Sequence, residues 1–385
     1  MSHERPTTAY RRSPQRVFWG PGALEHLAQE LDRAGAARPL LMCGASVQAH
    51  PRLLPRVIDA LGGTVAGVFG AVRSHTPKTS VEAACVALDE SGADSVIAVG
   101  GGSALVTARA AGILHGERRP IEELATRTTA DGAVVSPRLL APKVPIIAVP
   151  TTPTTAVCKA GTAVTTPGQR GRLALFDPAT RARSILLDPE HLASSPVDLV
   201  RNTALNAVVM AVEGLATGRS HVFSDALLVH AVRQFTALLP ELAHDSATPE
   251  RPIDAALAAI LVGDGTDTTG GGLTAALSHT IGHHYDAHNG AIDAILLPHV
   301  LDEIPPERSA QEKIAEGLGC GPAQLDVRLR EVLNPSGRGG RLRDVGVQLG
   351  EIAGLAAEAA GDFAYRRAAR RLDETAVTDV LRAAW

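Results

Sequence analysis

The sequence contains few aromatic residues, few cysteines and no long apolar run. Phe, Trp and Tyr together make up 3% of its 385 residues, so a core has to be built mainly from Leu, Val, Ile and Ala. The four cysteines are scattered and form no Cys-x-x-Cys pair. This pattern predicts free thiols in a reducing compartment instead of disulfides or a cysteine zinc site. No uninterrupted apolar run approaches the ~18 residues of a membrane helix.

Basic residues are not concentrated anywhere along the chain. The formal net charge is −4 and the longest basic runs are pairs such as Arg11-Arg12, which argues against nucleic acid as a partner. Residues 1–16 are polar and lack the apolar segment of a signal peptide. We therefore expect a cytoplasmic protein without a membrane or nucleic-acid partner.

Short apolar strands alternate with amphipathic helices up to about residue 190. This alternation predicts a doubly wound parallel α/β sheet of the Rossmann-like kind. Beyond residue 190 the patterns are those of helices, with no strand-like run. We predict an α/β domain at 1–190 and an all-α domain at 191–385.

A glycine-rich turn follows the apolar strand at 94–99. Gly100, Gly101, Gly102 and Ser103 come directly before a helical pattern. Glycines let the backbone approach a phosphate closely, and the start of a helix presents free N–H groups to an anion. The alternative is a tight strand-to-helix turn that needs glycine only for its backbone conformation.

A second strand, at 144–149, ends in a run of hydroxyl side chains that includes Thr151, Thr152 and Thr155. Hydroxyls at the carboxyl end of a strand suit the ligand crevice of an open α/β sheet, although a polar loop capped by its own hydroxyls has the same pattern. Lys159 follows and is within reach of a phosphate or carboxylate, or is simply solvated. Asp264 and Asp267, in a stretch rich in glycine and threonine, are predicted to form turns.

Histidine is concentrated in one stretch of the helical half. Five of the 14 histidines fall between positions 279 and 299. Histidine titrates near neutral pH and is the commonest neutral metal ligand. His279 and His283, and likewise His284 and His288, are spaced four apart and share a helix face. The stretch therefore predicts either acid–base chemistry or a metal site, which Asp286 and Asp293 would have to complete.

Several short motifs, in this order, resemble the iron-containing alcohol dehydrogenase superfamily, particularly its maleylacetate reductase branch. They are Phe-Trp-Gly-Pro-Gly-Ala-Leu at 18–24, Val-Gly-Gly-Gly-Ser at 99–103, Pro-Thr-Thr at 150–152, Asp-Pro-Glu at 188–190, Asn-Ala at 206–207, Ala-Val-Glu at 211–213, Ser-His-Thr-Ile-Gly at 278–282 and Leu-Leu-Pro-His-Val at 296–300. The resemblance covers nearly the whole chain.

The resemblance implies the architecture shared with dehydroquinate synthase, a dinucleotide-binding α/β domain and an all-α domain with the active site in the cleft between them. It implies NAD or NADP as cofactor, with the loop from Gly100 to Ser103 on the pyrophosphate and Thr151, Thr152 and Thr155 as further contacts. The position after the second strand, often acidic in the family, is Gly44 here, so the choice between NAD and NADP stays open. A homodimer or larger homo-oligomer is also expected.

The resemblance places the four metal ligands of the family at Asn206, Met210, Ala275 and Asn289. None of these is a carboxylate or an imidazole, and Met is a poor ligand for a hard or borderline metal. We therefore predict that the metal site of the family is lost and that no metal is needed. The alternative is that His283, His284 and His288 form a different metal site.

The predicted function is a metal-independent NAD(P)H-linked reductase of a small carbonyl substrate. His279 would supply the proton, Asn206, Asn289 or Lys159 would polarise the oxygen, and His283 and His288 would line the pocket. A different class is non-redox acid–base chemistry by the same imidazoles, as in a lyase, isomerase or cyclase of a specialised biosynthetic pathway. The third possible function is that of a binding or regulatory protein without catalytic activity.

Overall fold

A parallel six-stranded sheet forms the centre of the first half of the chain. The protein is represented by a computed structural model that describes residues 14–129, 133–166, 172–242, 251–334, 340–362, 365–366, 368 and 371–385. The strands are β1 Arg16–Trp19, β2 Pro39–Gly44, β3 Gly67–Val72, β4 Ser95–Gly100, β5 Arg127–Thr128, β6 Val134–Val135, β7 Ile146–Pro150, β8 Gly161–Thr165, β9 Arg172–Phe176 and β10 Ala182–Leu187. The sheet order is β1-β10-β7-β4-β2-β3, with every pair parallel, while β5 with β6 and β8 with β9 form antiparallel hairpins.

Both faces of the sheet are covered by helices. Successive side chains of a strand point to opposite faces, and here the side chains on both faces are apolar. In β2, Leu40 and Met42 pack in one hydrophobic cluster, while Leu41 and Cys43 pack in another on the opposite face. The helices of this half are α1 Leu27–Arg33, α2 Ala45–Ala49, α3 Leu53–Ala60, α4 Lys78–Ser91, α5 Gly102–Glu117 and α6 Ile121–Leu124. This confirms the predicted doubly wound sheet.

Helices follow from residue 189 onward, and the described residues beyond Leu187 contain no strand. They are α7 Pro189–Ala193, α8 Val197–Ala216, α9 Val222–Leu242, α10 Arg251–Thr269, α11 Leu273–Tyr285, α12 Asn289–Glu303, α13 Arg308–Leu318, α14 Leu325–Leu333, α15 Ile352–Ala359 and α16 Glu374–Ala384. Short 3-10 helices lie at Ala23–His26, Thr155–Cys158, Pro178–Thr180, Pro322–Gln324, Leu342–Val345 and Leu349–Glu351. The predicted α/β plus all-α architecture is confirmed; the exact division at residue 190 stays a prediction.

The core of the helical half is formed by α8, α9 and α10, with Phe235 of α9 fully buried among them. By length and composition α9 is also the one helix in the described part of the chain that is apolar enough to cross a membrane. A core helix passes the same test, so this is weak evidence for a membrane span. Ile253 and Ile260 of α10 extend into the hydrophobic cluster beneath the sheet, which joins the two halves.

The prediction that Asp264 and Asp267 form turns is wrong, because both lie inside α10. The glycines beside them allow close helix packing instead. A Cβ at Gly263 would lie 2.8 Å from Cys158 Cβ, and one at Gly265 would lie 2.6 Å from Leu228 Cδ2. Here glycine serves contact between elements that are distant in sequence, which a local pattern does not reveal.

Candidate active site

A cavity of about 720 Å³ opens at the carboxyl ends of β2, β4 and β7 and is closed on its far side by α8, α11 and the start of α12. This is the edge where open parallel sheets bind ligands. The predicted site residues that line it are Gly100, Gly101, Gly102, Ser103, Thr151, Thr152, Asn206, His279, His283, His288 and Asn289. The structure therefore brings together side chains from both halves of the chain.

The glycine turn at the end of β4 has the properties of an anion site. Gly100 has φ +145°, a backbone conformation that disfavours other residues. Helix α5 begins at Gly102 without a side-chain cap on its first N–H groups, which leaves these donors and the positive end of the helix dipole directed at the cavity. Thr152 Oγ1, beside the turn, is buried without a hydrogen-bond partner among the described residues.

His279 lies on α11 and is held by an arginine that the sequence did not single out. Arg172 Nη2 lies 2.9 Å from His279 Nδ1. A guanidinium can only donate, so Nδ1 must accept and the ring proton must be on Nε2. Burial, then the charge of Arg172 and then His75 lower the pKa of His279 well below its usual 6.5. His279 is thus neutral near pH 7, with Nε2–H as its available donor.

This tautomer changes the predicted role of His279. A neutral imidazole polarises a carbonyl by donating a hydrogen bond, but it does not release a proton as an imidazolium would. His279 therefore offers a hydrogen bond from Nε2–H and not the proton of an imidazolium.

Arg172, at the start of β9, is fixed in turn by Asp362. Arg172 Nε lies 3.1 Å from Asp362 Oδ2, and the two side chains are 14% and 2% exposed. Arg172 also lines the cavity. A single arginine at the start of an apolar run was the only sequence signal for this residue, and its partners lie 107 and 190 positions away.

Asn206 of α8 is oriented by a buried acid on α12. Asn206 Nδ2 donates to Asp293 Oδ2 at 2.6 Å. Burial raises the pKa of Asp293 to about 8, against hydrogen bonds from Ser278 and Asn206 that lower it. Asp293 is therefore largely protonated at neutral pH, which avoids an unpaired buried charge. The sequence indicated Asp293 only as a partner in an alternative metal site.

His75 brings a further imidazole into the cavity on a left-handed turn after β3. His75 and the next residue, Thr76, have φ +57° and +49°. Two hydrogen bonds hold the turn to β8, from Thr165 N to Thr76 O and from Thr165 Oγ1 to His75 O, both 3.1 Å. The ring of His75 lies 6.3 Å from that of His283, centroid to centroid.

Two family models match the chain, and together they span nearly all of it. Residues 14–189 match the model of iron-containing alcohol dehydrogenase, and residues 201–385 match that of the C-terminal domain of the Fe-containing alcohol dehydrogenase family. The chain belongs to the iron-containing alcohol dehydrogenase family. It is an oxidoreductase that acts on alcohol or carbonyl groups, and its family is NAD(P)-linked.

Individual relatives of this iron-containing alcohol dehydrogenase family member agree with the assignment. Lactaldehyde reductase of Escherichia coli is 26% identical over 383 residues, covering 96% of this chain and 97% of the relative. Maleylacetate reductase 2 of Cupriavidus pinatubonensis is 28% identical over 325 residues, covering 83% and 81%. The alcohol dehydrogenase structure from Oenococcus oeni shares the fold with a TM-score of 0.87, at 21% identity and 97% and 98% coverage. The maleylacetate reductase structure from Agrobacterium tumefaciens does so with a TM-score of 0.78, at 22% identity and 99% coverage of both chains.

The positions assigned to the family's iron ligands do not fit a divalent cation. Met210 Sδ accepts a hydrogen bond from Thr155 Oγ1 at 3.6 Å, Ala275 has no side-chain donor atom, and Asn206 and Asn289 carry neutral amides. Neither carboxylate nor imidazole, the groups that bind such ions, occupies any of the four positions. Met210 and Ala275 also lie outside the cavity lining.

The neighbouring histidines do not assemble into another metal site either. His75 Nε2 lies 3.7 Å from Asp286 Oδ1, but no three His, Cys, Asp or Glu side chains converge as metal ligands anywhere in the described ranges. His284 faces away from the cavity and pairs with Glu358 at 2.8 Å. His283 and His288 remain as cavity-lining imidazoles.

Two predicted site residues are not brought to the cavity. Lys159 Nζ donates to Gly263 O at 2.9 Å and to Thr266 Oγ1 at 2.6 Å, and burial lowers its pKa to about 8. Thr155 points to Met210. The prediction that Lys159 polarises the substrate is therefore wrong, because α10 packs against the segment that carries it and takes up its ammonium group.

Asp293→Asn should make the stability of the protein less dependent on pH. The folded state holds a proton on Asp293 up to about pH 8, whereas an unfolded aspartate releases it near pH 4. The contribution of Asp293 to stability is thus fully present below pH 4 and is lost as the pH rises through 8. We expect Asp293→Asn to exceed the unmodified protein in unfolding free energy by about 1–3 kcal/mol at pH 9, because it removes a buried charge.

Urea unfolding at pH 6 and pH 9 measures this difference. Asp302→Asn is the matched control, since Asp302 lies on the same helix with its side chain 59% exposed. Its unfolding free energy should depend on pH in the same way as that of the unmodified protein. An identical pH response of Asp293→Asn and Asp302→Asn would contradict a protonated Asp293.

Proposed function

We propose that this protein reduces a small carbonyl substrate with NAD(P)H and without a divalent metal. The observation that carries the proposal is the Arg172–His279 pair in the cavity beside the glycine turn. It supplies a guanidinium and a fixed N–H donor, while none of the family's four ligand positions holds a carboxylate or an imidazole. Such groups must replace several kcal/mol of Lewis-acid stabilisation.

The dinucleotide would lie on the glycine turn. Gly101 lacks a side chain where a Cβ would come within 3.2 Å of Thr152 Oγ1, and the buried, unpartnered Thr152 Oγ1 offers a hydrogen bond. The uncapped N–H groups of α5 suit a pyrophosphate. When bound, the reduced nicotinamide supplies a hydride to the carbonyl carbon, and the electron pair of the C=O bond moves to its oxygen.

The chain's own residues stabilise the negative oxygen that results. His279 Nε2–H donates a hydrogen bond to it, Arg172 places a positive charge beside it, and Asn206 supplies a further amide dipole. Fixed donors in a largely buried site stabilise such an oxyanion without having to reorganise. Water in the cavity then supplies the proton that converts the alkoxide to the alcohol.

Non-redox acid–base chemistry is the second candidate, and the cluster of His75, His279, His283 and His288 around one cavity favours it. A lyase, isomerase or cyclase would need these imidazoles but not a dinucleotide on the glycine turn. The two functions therefore differ in whether NADH or NADPH binds.

Titration with NADH and NADPH, followed by nicotinamide fluorescence, tests the proposal. We expect saturable binding of at least one of them. Gly101→Val should weaken it at least roughly tenfold, because the new side chain fills the turn where the phosphates approach. Gly350→Val is the control, since no atom lies within 4 Å of a Cβ at that position. Absence of binding to both dinucleotides would overturn the reductase and favour the non-redox alternative.

A second assay tests carbonyl reduction itself. It follows the oxidation of NADH or NADPH with lactaldehyde and with maleylacetate as probe substrates. We expect turnover that survives removal of metals by a chelator, with elemental analysis showing no stoichiometric divalent ion. A stoichiometric ion whose removal abolishes turnover would show that the metal-independent mechanism is wrong.

A further inference from the structure

We propose that the cavity selects NADP over NAD by binding the 2′-phosphate of its adenosine ribose at Arg73, the residue that follows β3. This inference rests on the proposed function, because it takes the dinucleotide to lie on the glycine turn.

The sheet order places Arg73 where the ribose is expected. A pyrophosphate on the turn after β4 leaves the adenosine to extend over the neighbouring strand, β2, whose end carries the group that meets the ribose. Strands β4, β2 and β3 are consecutive in the sheet. Gly44, the last residue of β2, is in register with Val72, so Arg73 emerges beside the end of β2.

The end of β2 has no group suited to the free ribose hydroxyls of NAD. A carboxylate commonly accepts hydrogen bonds from the 2′-hydroxyl in dinucleotide-binding folds, whereas an arginine nearby accommodates a 2′-phosphate. Gly44, Ala45 and Ser46 line the cavity at this point and carry no acid. A bound NAD would thus leave its ribose without the usual charged acceptor.

The side chains around this end of the cavity suit a phosphate. Ser46, His50, Arg73 and Ser74 all line it. Asp286, the one acidic residue in the lining, lies at the end of α11, where it faces His75 at 3.7 Å. Arg73 is exposed and makes no ion pair within the described part of the chain, unlike Arg56, which is paired with Asp188 at 2.8 Å. Its guanidinium can therefore bind two phosphate oxygens at once, and the serine hydroxyls can donate to others.

Binding of NADPH, NADH and adenosine 2′,5′-bisphosphate, measured by calorimetry, tests the proposal without any turnover. We expect the unmodified protein to bind NADPH roughly 10- to 100-fold more tightly than NADH. Arg73→Ala should lose most of this preference by weakening NADPH and adenosine 2′,5′-bisphosphate while leaving NADH unchanged. Arg38→Ala is the control, because Arg38 is also an exposed arginine but lies at the opposite end of β2, and this variant should bind all three ligands like the unmodified protein.

Gly44→Asp provides a second variant that adds the missing acid. Gly44 has an ordinary extended backbone, φ −86°, and a Cβ there would meet only Val72 O at 3.5 Å, so the fold should accept it. We expect it to weaken NADPH and to strengthen NADH. Equal affinity of the unmodified protein for both dinucleotides, or an unchanged preference in Arg73→Ala, would refute the role of Arg73 while leaving the reductase intact. No binding of either dinucleotide would instead remove the proposed function itself.

Discussion

His279→Ala is expected to lower kcat for carbonyl reduction roughly 100- to 1000-fold while leaving NAD(P)H binding unchanged. The loss corresponds to removal of one fixed donor from a developing oxyanion. The dinucleotide should still bind, because the glycine turn and Thr152 lie on the α/β side of the cavity, away from α11. Steady-state kinetics and the fluorescence titration measure the two quantities separately.

The matched control for His279→Ala is His284→Ala on the same helix. His284 pairs with Glu358 outside the cavity and its side chain is 43% exposed, so this variant should keep full activity. Protonation of His279 should not affect kcat of the unmodified protein between pH 6 and 8, because the pKa of His279 lies well below 6.5. Full activity of His279→Ala would contradict the assigned role.

Arg172→Met is expected to reduce kcat by roughly 100-fold and to raise the pKa of His279. The variant removes a charge from the oxyanion site, and it removes the neighbouring cation that disfavours the imidazolium. The titration of His279, followed by its imidazole chemical shifts, should then move toward neutral pH. Nitrogen chemical shifts of the imidazole should show loss of the pure Nε2–H tautomer, a change that general destabilisation of the fold would not produce.

Arg181→Met is the control for Arg172→Met. It distinguishes the catalytic effect of losing Arg172 from the loss of an ion pair that links the two halves of the chain. Arg181 lies beside β10 and pairs with Asp267 of α10 at 2.7 Å, with a side chain 16% exposed, close to the 14% of Arg172. It does not line the cavity. We expect Arg181→Met to lose some thermal stability but to keep kcat and its pH profile. Equal catalytic losses in both variants would show that Arg172 acts only through the fold.

Local sequence patterns were sufficient for the fold and for part of the site. The strand, glycine turn and helix from β4 to α5, and the position of His279 on α11, are encoded within short segments whose periodicity can be read directly. The carboxyl ends of parallel strands meet at one edge, so the glycine turn and Thr152 line the same cavity.

The remaining features depend on contacts between segments that are far apart. The tautomer of His279 depends on Arg172, which comes from a hairpin 107 residues earlier, so the residue predicted as the proton donor is a neutral imidazole. Lys159 was misplaced because its partners, Gly263 and Thr266, lie more than 100 residues away. The protonation of Asp293 likewise follows from its burial between helices, which no motif records.

The left-handed turn after β3 connects the two ends of the cavity through a continuous series of contacts. The turn begins next to Arg73 and is tied through His75 and Thr76 to Thr165, and Thr165 is paired across the hairpin with Arg172. A phosphate that immobilises Arg73 therefore also restrains the segment that holds the guanidinium of Arg172 against His279. We expect each of the two ligands to increase the affinity of the other by an identical factor, as reciprocity requires.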